Sequence, residues 1–175
     1  MKLKKYEFKS DPYQHQLDTL KSSAHRNLFA LFLEMGLGKS KILLDNAGML
    51  FEEGKISGLL IVSPKGNLSN WDSNEISKHL PERIKRNVLV WQPNHTQRWT
   101  KAFKDMVQKD STGTLNILLV NVEAFATVKA CTHVEEFLVT HDAMMAIDES
   151  TTIKNPKAKR TKHLIKLAPL ADYRR

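Results

Sequence analysis

Gly36-Leu37-Gly38-Lys39-Ser40 is a stretch whose residue types suit a bound phosphate. Its glycines let the backbone turn tightly and aim consecutive N–H groups inward. Lys39 supplies a cation for the outer phosphates, and the Ser40 hydroxyl suits Mg²⁺. A helix that begins here adds its positive N-terminal end. The strict phosphate-loop spacing wants a glycine five places before Gly38, where Leu33 stands, so only the core G-x-G-K-S is present. The bland alternative is an ordinary glycine turn with a solvent lysine. Far along the chain, Met144-Met145-Ala146-Ile147 runs straight into Asp148-Glu149. Two adjacent carboxylates at the end of an apolar run are costly unless they have partners. Asp148 suits a holder of Mg²⁺, and Glu149 suits a group that polarises an attacking water. The bland alternative is an acidic pair capping the next turn. The two motifs together make each bland alternative harder to keep.

These residues need strands to carry them and helices to follow. Short, continuously apolar runs occur at Leu28–Leu33, Leu59–Ser63, Val88–Trp91, Asn116–Val120 and Met144–Ile147. Continuous rather than alternating patterns are expected of strands covered on both faces. Helical patterns lie between them, at Pro12–Lys21, Lys39–Phe51, Ser69–Leu80, Thr96–Gln108, Val134–Val139 and Lys157–Leu167. Gly54 is placed to end the second helix, and Pro81 stands after the third. Alternation of strand and helix predicts a parallel α/β sheet with right-handed crossovers and helices on both faces. Ligands in such sheets sit at the carboxyl ends of the strands.

A chain of 175 residues suffices for one domain with a proper core. Cys131 is the only cysteine, which excludes an intrachain disulfide and a cysteine-rich metal site and fits a reducing, intracellular setting. The basic start MKLKKYEFKSD has no apolar segment behind it, so no signal peptide is expected. No apolar run approaches the roughly 18 residues a membrane span needs. The net charge of +8 is unevenly spread. Residues 154–175 hold eight Lys/Arg against Asp172 alone, for +7; residues 1–9 hold four Lys and one Glu, for +3; the remainder sums to −2. A polyanion partner fits that distribution, as does a solvated helix face. Trp71 and Trp91 are expected in or beside the core, and Trp99 either there or on a base-stacking surface. The seven His show no metal-ligand spacing, and His15 is expected on a helix surface.

EMGLGKS (34–40) and AIDESTTIKNPKAKRTK (146–162) closely resemble motifs I and II of the Swi/Snf-like branch of superfamily 2 helicases and translocases. DPYQHQ (11–16) resembles the Q motif, LLIVSPKGNLSNW (59–71) motif Ia, and LLVNVEAF (118–125) occupies the place of motif Ib. The resemblance runs from about Pro12 to Arg175. It implies a RecA-like ATP-binding lobe with ATP and Mg²⁺ as cofactors, acting with Lys39, Asp148 and Glu149 as catalytic groups. It implies that Gln14 reads the adenine edge, that Gly36, Leu37, Gly38, Lys39 and Ser40 hold the nucleotide, and that Ser40 and Asp148 hold the metal. It further implies that Ser63, Pro64, Lys65 and Asn121 face a nucleic-acid backbone, most naturally that of double-stranded DNA. The implied setting is intracellular, cytoplasmic or nucleoid-associated. A second RecA-like lobe of the same parent protein, carrying an arginine finger, is expected after Arg175; residues 1–175 form the first lobe.

The sequence departs from the family pattern at three places. Leu33 stands where an acid is usual, Ser40 where threonine is usual, and Thr151 where a histidine links the ATP site to the DNA side. The hydrolysis residues survive these departures; the coupling route is the part they affect. Two other readings fit the same residues. One is a P-loop NTPase or phosphotransferase that never meets nucleic acid, and the other a nucleotide- and DNA-binding fragment without turnover. DNA-stimulated hydrolysis separates the first, and comparison of binding with turnover the second.

Overall fold

The computed structural model describes residues 6–108 and 113–175. Apolar runs with no polar face must be covered on both sides, and here they are. β1 (Gly58–Ser63), β2 (Arg86–Val90), β3 (Leu115–Asn121) and β4 (Ala143–Ile147) join a two-residue β5 (Tyr173–Arg174). They form one all-parallel sheet in the order β2-β3-β1-β4-β5. Alternate residues of the central strands feed two cores. Leu59, Ile61, Ile117, Leu119, Met144 and Ala146 pack with α1 (Gln14–Ser23), α2 (Lys39–Glu52) and the helical segments α3 (Leu68–Asn70) and α4 (Ile76–His79). Leu60, Val62, Leu118, Val120, Ala143 and Met145 pack with α5 (Gln97–Val107), α6 (Val128–Thr140) and α7 (Lys159–Leu167). Helices therefore cover both faces, as the pattern predicts. No helix among the described residues is long and apolar enough to cross a membrane.

Three elements differ from expectation. The apolar run Leu28–Leu33 is not a strand. Only Leu28 bridges to the sheet, opposite Arg174 at its edge, and the residues beyond it find no ladder. Phe32 is 92% exposed, so the run is not covered on both sides and a strand there has nothing to bury it. The helix expected over Ser69–Leu80 is interrupted by a π turn at Trp71–Glu75. Helix α6 begins six residues before the expected start at Val134, because the Thr127 hydroxyl accepts the Ala130 N–H as an N-cap. Gly54 ends α2 as expected, in the left-handed region at φ 66°.

The amino ends of the strands are closed by a buried polar contact. The His141 ring donates from Nδ1 to the Phe137 carbonyl at 2.9 Å, and Nε2 accepts from the Asn116 amide at 3.0 Å. A ring that donates from one nitrogen and accepts at the other is neutral. A methyl group on Gly58 would lie 2.8 Å from His141 Cβ, so the ring fills the space that a side chain at the start of β1 would need. Burial pushes the His141 pKa below its ordinary value. The unfolded chain takes up a proton near pH 6.5 while the folded chain resists it, so this residue's contribution is complete above that pH and is lost as pH falls through it. Asp45, buried on α2 beside Lys41, works in the opposite direction: burial pushes its pKa up to about 6, so protonation relieves a cost in the folded state as pH falls below that value. The two effects are separable by substitution. On passing from about pH 7.5 to about pH 5.5, wild type should lose up to about 1.4 kcal/mol more unfolding free energy in urea than His141→Gln. Equal losses in the two proteins would show that the ring is not held neutral.

Candidate functional site

The glycine loop stands directly before α2. Gly36 and Gly38 have φ of 81° and 77°, a region that side-chain-bearing residues rarely adopt. Gly38 immediately precedes the first residue of α2, so the loop delivers the helix's free N–H groups to the carboxyl-end side of the sheet. A methyl group at Gly38 would also collide with the Gln16 amide, 2.4 Å away. That amide donates to the Leu37 carbonyl at 3.2 Å, and the His15 ring meets the same oxygen at 3.1 Å. The first turn of α1 thus braces the loop from behind. The Lys39 ammonium donates to the carbonyls of Leu33 and Glu34 at 2.9 and 3.0 Å. An ammonium has three N–H donors, so one remains for an incoming anion while the loop holds the charge in place.

The acid pair arrives from the end of β4. The Asp148 N–H donates to the Val62 carbonyl at 2.8 Å, extending the pairing of β4 with β1 by one residue. Asp148 Oδ2 accepts from the Ser63 hydroxyl at 2.9 Å and from the Trp71 indole N–H at 3.0 Å. Glu149 follows at φ 54°, the only side-chain-bearing residue among those described with positive φ. Such a conformation costs about 1–3 kcal/mol and is concentrated at functional sites. The Thr152 N–H and hydroxyl both donate to the Glu149 carbonyl, at 3.0 and 2.9 Å, and stabilise the turn.

Lys39, Ser40, Asp148, Glu149 and Trp71 line one cavity of about 420 Å³, together with Phe32, Thr151 and Arg175. A second cavity of about 540 Å³ opens on the other side of the loop, lined by Tyr13, Gln16, Gly36, Gly38, Lys39 and Ser40. Lys39 and Ser40 belong to both. Gln14 lines neither; its amide donates to Asp18 at 2.9 Å on the exposed side of α1, and the glutamine that meets the loop is Gln16. His15, expected on the helix surface, is exposed there but also touches the loop.

The four residues expected at a nucleic-acid backbone gather at the carboxyl ends of β1 and β3, where Ser63 pairs with Asn121. They do not behave alike. Ser63 is fully buried and its hydroxyl is committed to Asp148, which corrects its assignment as a backbone contact. Pro64 is half-buried and Lys65 exposed. Asn121 Oδ1 accepts the Ala124 N–H at 2.7 Å and so caps the turn Val122–Ala126. Trp91 and Trp99 are both buried, and Trp99 Nε1 donates to the Val90 carbonyl at 2.8 Å, which removes Trp99 from the surface.

Two residues lining the cavity escaped the sequence. Trp71 was expected only as core; it is buried, but its indole N–H is a ligand of Asp148. Arg175 counted as part of the basic end, yet its guanidinium is drawn inward to Asn46 Oδ1 at 2.9 Å and to the carbonyls of Ser23, Ala24 and Arg26 at 3.0, 3.3 and 2.8 Å. Burial lowers its pKa to about 10, so it remains charged at neutral pH. The exposed part of the basic run is Lys154, Lys157, Lys159, Lys162 and Lys166, with Arg160 half-buried. Lys2, Lys4 and Lys5 of the amino-terminal basic group lie outside the described residues.

No curated protein matches the sequence. Among solved structures, the Sulfolobus solfataricus SWI2/SNF2 ATPase core in complex with dsDNA is similar over 99% of this chain, with a TM-score of 0.70 and 21% identity. The chain spans 33% of that structure's length. This likeness confirms the RecA-like parallel α/β fold. The SNF2-related domain family matches residues 15–171, a span that takes in both the glycine loop and the acid pair. On that match the chain belongs to the SNF2-related domain family.

Proposed function

We propose that this chain is the ATP-binding lobe of an ATP-dependent motor acting on double-stranded DNA, completed by a second RecA-like lobe of the same parent protein. The observation that carries this reading is the convergence of Lys39 and Ser40, at the start of α2, with Asp148 and Glu149, at the end of β4, on one cavity. The triphosphate lies along Gly36–Ser40, and the base lies toward Tyr13 and Gln16, where the second cavity opens. The Ser40 hydroxyl and Asp148 carboxylate are hard oxygen donors that fit Mg²⁺, an ion held by few protein groups with phosphate oxygens and water around it. When bound, the ion offsets charge on the phosphate oxygens. Lys39 holds the outer phosphates, and Glu149 orients and polarises the attacking water. Pro64, Lys65, Asn121 and the exposed lysines of 154–166 are the candidate DNA side. The family and the likeness to a core solved with dsDNA support that assignment.

Lys39→Ala should weaken Mg·ATP binding by about tenfold or more, the usual effect of removing a charged hydrogen-bonding group. Titration with a fluorescent ATP analogue measures it, with circular dichroism to confirm folding; unchanged affinity in a folded variant would overturn the phosphate-loop assignment. Residues 1–175 alone should hydrolyse ATP slowly and respond little to duplex DNA, because an arginine finger is worth roughly 10³–10⁵ in related phosphoryl transfer. Adding the second lobe should restore DNA-dependent phosphate release. Glu149→Gln in that longer chain should abolish release and preserve ATP binding; full activity would remove Glu149 from its role. Turnover in the longer chain that ignores DNA would favour an NTPase with no nucleic-acid partner. Replacing Lys157, Lys159, Arg160 and Lys162 with Ala should flatten the slope of log K against log salt for DNA, by about one unit for every phosphate no longer neutralised. An unchanged slope would make the run a solvated face or a lobe interface.

A further inference from the structure

We propose that Trp71 and Ser63 are positioning residues for Asp148, a neutral clamp that sets its carboxylate toward the phosphate loop before any ligand arrives. The proposal rests on the reading above, in which Asp148 holds the Mg²⁺ of a bound nucleotide.

Both donors meet the same oxygen. Ser63 Oγ lies 2.9 Å and Trp71 Nε1 3.0 Å from Asp148 Oδ2. Among the described residues no hydrogen bond ends on Oδ1. One carboxylate oxygen is thus tied to the protein and the other is left for the cavity that Lys39 and Ser40 line. The donors come from different elements, one from the last residue of β1 and one from the first residue of the π turn. Ser63 is fully buried and Trp71 is 3% exposed, so neither can turn to solvent for a substitute partner. The backbone at Asp148 is fixed as well, through its N–H bond to Val62. A side chain ordered in advance does not lose that freedom on binding.

The chemistry of the donors matters as much as their number. A lysine or arginine at either position would hold the carboxylate but cancel its charge. A hydroxyl and an indole N–H orient it and leave the full negative charge for a cation. Partners that orient a metal ligand in this way typically govern about 10–100-fold in metal affinity.

The π turn explains how Trp71 is placed. In an α-helix, residues five apart point about 140° away from each other. Trp71 and Ile76 are five apart, yet both are buried in the same core, and the Ile76 N–H bonds the Trp71 carbonyl across the wide turn. The turn lets both side chains face inward, and single π turns of this kind recur at functional sites.

The test compares wild type, Trp71→Phe and Ser63→Ala for binding of a fluorescent ATP analogue, with Mg²⁺ and with EDTA. Both variants should lose about tenfold in affinity with Mg²⁺ and none with EDTA. A purely structural role would weaken both conditions together. Ser63→Ala removes a single oxygen, so it carries the test even if Trp71→Phe fails to fold. In folded variants, an undiminished Mg²⁺ effect would overturn the clamp. A second readout needs no ligand. Of the three tryptophan indole N–H resonances, the one absent in Trp71→Phe should move in Asp148→Ala. An unmoved resonance would also overturn the clamp. If Mg²⁺ makes no difference in wild type, the nucleotide reading itself fails and the clamp falls with it; that result is visible before any variant is made.

Discussion

The parallel pairing of β1 with β3 and β4 is the constraint from which the site follows. Side chains along a strand alternate between faces, so a slip of one residue would exchange the two cores. Leu59 and Ile61 would then meet the helices that now cover Leu60 and Val62. The register is therefore fixed by burial over the whole length of β1. The same register brings Asp148 to Val62 and Ser63, and Asn121 to Ser63. The polar residues at the strand ends have no power to choose their neighbours. The apolar residues below them choose.

Charge at the site is arranged on neutral supports. Lys39 rests on two carbonyls of its own loop, and Asp148 on a hydroxyl and an indole N–H. Among the described residues neither forms an ion pair with a partner of opposite sign. A cation and an anion left uncompensated on the wall of one cavity suit a ligand that brings both charges, as a metal–polyphosphate does. Arg175 behaves differently. It is tied to carbonyls near the carboxyl end of α1 and to Asn46 of α2, where a cation is favoured by the helix end. It serves to join those helices to the sheet edge, and it lines the cavity from there.

The two sides of the β1 terminus divide the work. Ser63 turns inward to the acid, and Lys65 two residues later is exposed. The chain thus passes within two residues from a buried contact with Asp148 to solvent. Thr151 lines the cavity wall.

By itself the sequence determined the layered α/β class and placed the glycine loop before a helix and the acid pair at the end of a strand. Each is a local signal. Unbroken aliphatic runs require cover on both faces, glycines and a lysine before a helix suit an anion, and paired carboxylates at a strand end call for partners. The tertiary structure alone decided the rest, because those contacts join residues far apart in the chain. Leu28–Leu33 has the composition of a strand, but pairing depends on an edge, and the short β5 offers it a single bridge. Trp71 has the composition of a core residue, but a π turn and the end of β4 make it a partner of Asp148. Gln14 and Gln16 are equally polar in the sequence; the pitch of α1 sends one to Asp18 and the other to Leu37. Arg175 belongs to the basic end by charge, and three backbone carbonyls of residues 23–26 draw it inside. Residue type sets what a side chain can do, and burial with register sets which partner it finds.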